Sequence, residues 1–190
     1  MEENIVEKVR KFVEEECKKP SANYPTAYKY HFVYVHKHAK KLAEELNADS
    51  EIVELAAWLH DIGSILYGRA DHHITGAEIA EKKLRELGYP EDRILLVKKC
   101  ILNHRGSREK ENIRDFIEAK ILAEADSITA FDFVEGLFSA ALVTEKLNRE
   151  DAKESVRKKL QNKWNQLTLE ESRKLVKPRY EAFMLLLNQK

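Results

Sequence analysis

An all-α fold built as a helical bundle is what this sequence predicts, and three features carry the prediction. Apolar residues recur at helical spacing from Ile5 to the last segment, with Glu and Lys between them. Gly and Pro are scarce, six and four in 190 residues, too few for a loop-rich all-β chain. Strand-type alternation is almost absent. With 43% hydrophobic residues the chain can build a real core, and its length fits one domain.

Charge excludes some functions. The 33 basic and 33 acidic residues cancel, so no basic field exists to hold duplex DNA or RNA as a main partner. Cys17 and Cys100 lie far apart without CxxC spacing, which reads as two reduced core thiols. The first residues, Met1-Glu2-Glu3-Asn4, are unlike a signal peptide, and no apolar run approaches the ~20 residues of a membrane span. A cytoplasmic protein without a membrane partner is expected.

Each element follows from local pattern. Ile5, Val6, Val9, Phe12 and Val13 predict a first helix over 4–18, broken by Lys19-Pro20 and Pro25. A second helix runs from Thr26 to Leu46 on Phe32, Val35, Ala39, Leu42 and Ala43. His31 falls beside that stripe, the position of a core histidine or a ligand. His36 and His38 stand among lysines and read as surface or supporting residues. Asp49 or Ser50 caps a third helix, whose solid apolar run Ile52–Leu59 marks it as central. It ends on His60-Asp61, and Gly63 suits the left-handed position after a helix end.

Ser64–Asp71 reads as a loop. Asp71-His72-His73 opens the next helix, ended by Gly88-Tyr89-Pro90, and Glu91–Asn103 is another, followed by His104-Arg105. Residues 106–114 are charged and turn-like, an exposed loop. Asp115–Phe133 is strongly helical, with Asp126 interrupting its apolar pattern. Helices continue to the end, Thr168-Leu169-Glu170-Glu171 reads as a capping box, and Pro178 should kink or split the last helix.

His60-Asp61 at the end of an apolar helix needs a partner. Neutral imidazole and ionised carboxylate both donate lone pairs, so a divalent metal satisfies them, and adjacent helical side chains ~100° apart can share one ion. A carboxylate at Asp126 has the same need, since burying it alone costs several kcal/mol, about the worth of a whole core side chain. No Gly-x-Ser-x-Gly elbow or Gly-rich phosphate loop offers another chemistry.

His31, His60, Asp61 and Asp126 form an H…HD…D pattern over three helices. Their flanks are Val35, Ala39, Leu42 and Ala43 after His31; Leu55-Ala56-Ala57-Trp58-Leu59 before His60-Asp61-Ile62-Gly63; and Ile121-Leu122-Ala123-Glu124-Ala125 before Asp126. This resembles the HD-domain superfamily of metal-dependent phosphohydrolases, of the HDIG-like type, over residues 26–135. The resemblance implies an all-α fold in which His31, His60, Asp61 and Asp126 hold one divalent ion. Some relatives hold a second, with Asp61 bridging. His73 and His104 fall where the extra ligands are expected, His73 preferred to His72 for the helix that follows it.

Mixed N/O ligands suit Mn, Fe, Co, Ni or Zn better than Ca or Mg. The implied activity is hydrolysis of a phosphate ester, of a nucleotide or small phosphorylated metabolite, by metal-activated water. Asp61 is central to it, and Arg105 and Lys120 are the nearest basic candidates to clamp a phosphate. A di-iron oxygenase and a non-catalytic metal- or ligand-binding module remain the alternatives. Many HDIG relatives carry Lys after the glycine; Ser64 stands there, which leaves the phosphate-contacting role unassigned. The organisation expected is an N-terminal helix and loop (1–25), a metal-binding core (26–135) and a C-terminal helical extension of the same domain (136–190). That extension would cap the pocket or form a homodimer contact.

Overall fold

The computed structural model describes residues 3–105 and 115–188, so the expected loop at 106–114 lies outside the described residues. Among the described residues every regular element is helical. The chain divides into two compact units, Met1–Ala125 and Asp126–Lys190.

The first unit begins with α1, Ile5–Lys18, capped by Asn4, whose side chain accepts from Glu7 N–H at 2.9 Å. It buries Val9, Val13 and Cys17. A five-residue π-turn, Tyr28–Phe32, leads into α2, Val33–Glu45. In that turn Val33 N–H reaches back to Tyr28 O, one residue further than α-helical geometry. Asn47 then takes the left-handed conformation (φ 52°), with Ala48 N–H on Ala43 O and Asn47 N–H on Glu44 O, closing the helix as a Schellman motif.

Asp49 caps α3, Ser50–Leu59, accepting from Ile52 N–H at 3.1 Å. Every residue of α3 from Ile52 to Leu59 except Glu54 is buried, because α1, α2, α5 and α6 all pack around it. The expected loop after Gly63 is instead a short helix, α4, Ile62–Tyr67. Six residues are too few to show a helical period, so composition alone could not reveal it.

α5, His72–Glu86, ends in a second Schellman motif at Gly88 (φ 73°), with Tyr89 N–H on Leu84 O and Gly88 N–H on Arg85 O. α6 spans Glu91–Asn103, the range its pattern predicts.

Gly63 does not play its expected part as a left-handed helix stop. It lies inside α4, where α4 crosses α5. A Cβ there would stand 2.4 Å from His72 O, 2.4 Å from Thr75 Oγ1 and 2.7 Å from Gly76 N. Two of those three atoms are backbone and cannot swing aside.

α7, Ile117–Thr129, runs across the division between the units. The second unit continues with α8, Val134–Ser139, a π-turn at Ala140–Thr144, α9, Arg149–Gln166, and α10, Glu170–Leu187. α9 packs on α10 through parallel stacking of Trp164 and Tyr180, with ring centroids 4.6 Å apart and Arg173 over the indole. Leu169, not Thr168, occupies the cap position of α10, and that helix runs unbroken through Pro178. Among the described residues no single helix is long and apolar enough to cross a membrane.

Gly63→Ala should lower the unfolding free energy by about 2–3 kcal/mol in urea titrations, because its new methyl meets backbone. Gly88→Ala, which meets no atom within 4 Å but is strained by φ, should cost about 1 kcal/mol. Burial pushes the Cys17 thiol up to about 11 and raises Cys100 as well. At pH 8 a thiol with that pKa is about 0.1% thiolate. The folded protein should therefore react with an aromatic disulfide reagent only slowly, releasing both thiols once denatured.

Candidate metal centre

Four helix ends of the first unit carry the site. His31 comes from the π-turn before α2, His60 and Asp61 from the junction of α3 and α4, His72 from the start of α5, and His104 from the end of α6. Helix ends suit this work, since a side chain there can turn back to its own last carbonyls. His60 Nδ1 lies 2.8 Å from Ala57 O, His104 Nδ1 2.6 Å from Ile101 O, and His72 Nδ1 2.9 Å from Arg69 O.

A carbonyl only accepts, so each Nδ1 must be the protonated nitrogen. When each ring is neutral, Nε2 carries its lone pair. Three backbone carbonyls thus set three imidazoles as ligands before any ion arrives.

The Nε2 atoms converge on Asp61. His31 Nε2 is 3.4 Å from Oδ2; His72 Nε2 is 3.1 Å and His104 Nε2 3.6 Å from Oδ1. The four rings follow one another at centroid distances of 5.0, 5.1 and 5.4 Å, in the order His31, His60, His104, His72. His60, His72 and His104 are buried, His31 and Asp61 partly so.

Burial works to raise the Asp61 pKa. The charge of His60 and the hydrogen bonds from His104, His31 and His72 outweigh it and hold the carboxyl well below its usual range. Burial likewise pushes His72 down, but its pairing with Asp61 wins and leaves it raised.

The donor set fits a transition-metal ion. His31 Nε2 and His60 Nε2 stand 3.0 Å apart. Two nitrogen lone pairs do not face each other at that separation without something positive between them, a proton or a cation. Nitrogens ~2.1 Å from one ion and at right angles are about 3.0 Å apart. On the other side, Asp61, His72 and His104 each offer a ligand atom, and these lie within 4.8 Å of one another.

Sequence reasoning placed His73 in this set, and the geometry brings in His72 instead. Asp71 takes a left-handed conformation (φ 47°), α5 begins immediately after it, and the tie to Arg69 O turns His72 inward. His73, one step round the helix, is half-buried, with Nδ1 3.5 Å from Arg105 Nη1. Burial and the neighbouring guanidinium both lower its pKa. The turn before the helix decides between the two, not the helix after it. A usable signal was present: His72, Gly76, Ala80 and Leu84 form one stripe at four-residue steps.

Arg105 is exposed beside this cluster and pairs with no carboxylate among the described residues. Lys120, half-buried on α7, makes no side-chain hydrogen bond or ion pair among them. Asp126 is the first residue of the second unit, where Lys163 Nζ meets its Oδ2 at 2.8 Å. Lys163 was not singled out by sequence reasoning, because a lysine in a charged helix carries no pattern.

The family model of the HD domain matches residues 28–130, more than half of the chain. The chain belongs to the HD-domain family. Its curated relatives include the tRNA (cytidine(56)-2'-O)-methyltransferase of Picrophilus torridus, 31% identical over 140 residues, which is 67% of this chain and 39% of that protein. An uncharacterized protein of Clostridium beijerinckii is 33% identical over 103 residues, 52% of this chain and 62% of that one. This HD-domain chain therefore spans less than two thirds of the length of either relative.

Solved structures share its fold. An HD-superfamily hydrolase of Bacillus thuringiensis has a TM-score of 0.73 at 21% identity, covering 97% of this chain and 93% of that one. YpgQ of Bacillus subtilis, in complex with ADP, has a TM-score of 0.68 at 23% identity, covering 95% and 92%.

His72→Ala should lower the metal-to-protein ratio found by elemental analysis, whereas His73→Ala should leave it at the parent value. The reverse result would return the ligand role to His73.

Proposed function

We propose that this protein is a metal-dependent phosphohydrolase cleaving a phosphate ester of a nucleotide or small phosphorylated metabolite. One observation carries the reading: the two oxygens of Asp61 face different imidazoles, Oδ2 toward His31 and Oδ1 toward His72 and His104. A carboxylate placed in that way suits a bridge between two ions. In this reading His31, His60 and Asp61 hold one ion, and Asp61, His72 and His104 a second.

When bound, divalent ions supply Lewis acidity, bringing the pKa of water from ~15.7 to about 7 and offsetting phosphate charge. The remaining work belongs to the chain. Ala57 O, Ile101 O and Arg69 O fix the imidazole tautomers, so in each neutral ring the Nε2 lone pair faces the site. Asp61, held ionised by its neighbours, contributes full negative charge at neutral pH. Arg105 stands beside His73 without a carboxylate partner among the described residues, and its fork of donors suits phosphate oxygens. The ADP held by YpgQ, a protein of the same fold, supports a small nucleotide as the substrate class.

The test is turnover of a panel of nucleotides and simple phosphoesters by protein loaded with Mn, Co, Ni or Zn. Activity on at least one is expected, and Asp61→Asn should reduce kcat by about 10²–10³ or more, the scale of losing a principal electrostatic stabiliser. A metal-loaded protein that cleaves nothing in the panel overturns the reading.

A further inference from the structure

The segment that supplies His31 also lines a cleft. Tyr28, Lys29, Tyr30, Val33 and Tyr34 form its walls, and its volume is about 420 Å³. All five belong to the π-turn or to the first turn of α2. Within this stretch the side chains divide. Phe32 and Val35 are fully buried, and His31 reaches Asp61. Tyr30 and Val33 stay exposed, at 47% and 37%.

The cleft is anchored at one wall. The Tyr28 ring stacks on Trp58 with centroids 5.8 Å apart, and its hydroxyl accepts from the Arg10 guanidinium. Tyr30 and Tyr34, four residues apart, lie on one side of the helix. Lys29 Nζ stands 5.0 Å from the centre of the Tyr30 ring and pairs with no carboxylate among the described residues.

Contiguous apolar surface left open to water marks a binding groove. A volume of about 420 Å³ falls within the ~300–1,000 Å³ of small-molecule sites, which suits a compact ligand better than a protein surface. Tyrosine rings offer flat faces on which any nucleobase can stack. The Lys29 ammonium adds a donor for acceptor atoms on the edge of a base. Tyr30 is the chain neighbour of His31, and successive Cα atoms are only ~3.8 Å apart, so one short segment serves both the cleft and the metal centre. A ligand with a phosphate at one end and a flat ring at the other matches the two together.

We propose that this cleft receives the nucleobase of the substrate, stacked on Tyr30, while its phosphate lies at the Asp61 centre. The inference rests on the reading of that centre as a phosphohydrolase site and narrows its substrates to nucleotides.

The test compares the parent with Tyr30→Ala and Tyr30→Phe, each checked for folding by thermal melting. Val33→Asp, which puts a charge on the apolar wall, takes the place of Tyr30→Ala should that variant not fold. Calorimetry on Mn-loaded protein measures binding of inorganic phosphate and of the phosphonate analogues of AMP and of ribose 5-phosphate, whose P–C bond resists hydrolysis. The parent should bind the AMP analogue about tenfold or more tighter than the ribose analogue. Tyr30→Ala should remove most of that preference and Tyr30→Phe should keep it, with inorganic phosphate bound alike by all three. A parent that binds both analogues equally overturns the proposal, as does a preference that survives Tyr30→Ala. In either case the phosphohydrolase reading would stand, because phosphate would still bind. A Mn-loaded parent that binds none of the three probes would instead remove the phosphate site itself, and the base cleft with it.

Discussion

The carboxylate of Asp61 is the group on which the first unit depends. An ionised carboxyl removed from water costs several kcal/mol unless partners surround it. Here three imidazole nitrogens lie within 3.6 Å of its oxygens. Those nitrogens come from three different segments, so the same group that needs solvating also dictates where the π-turn, α5 and α6 must end or begin. Chemistry and packing are therefore not separable at this point of the fold: the helices are brought together by apolar burial around α3, but their ends are phased by one negative charge.

Close approach of backbone makes that phasing feasible. At Gly63 the α4 chain runs against His72 O and Gly76 N, and at Gly76 the α5 chain comes near His60 O. Two glycines in contact let α5 start close enough for His72 to reach Asp61. The glycine of the His-Asp-Ile-Gly run thus acts through shape, two residues away from the carboxylate it serves.

Much of this was readable from residue pattern. The range of α6, the cap at Asp49, the central position of α3 and the prominence of His31, His60, Asp61 and His104 all follow from apolar spacing, turn chemistry and family resemblance. What escaped depends on backbone conformation over a few residues. α4 is too short to display a period. The choice of His72 over His73 is made by a left-handed residue at Asp71, and α10 continues through Pro178 although the local rule expects a kink or a break.

The π-turn before α2 has a consequence for how this chain can change length. One residue more than a regular turn requires is stored between Tyr28 and Val33. Deleting a single amino acid there would let the helix relax to ordinary pitch and swing everything upstream by about 100°. The imidazole of His31 would leave the cluster although no ligand had been substituted. In this segment the number of residues matters as much as their identity, and a shortened chain would lose its first donor without any visible change of motif.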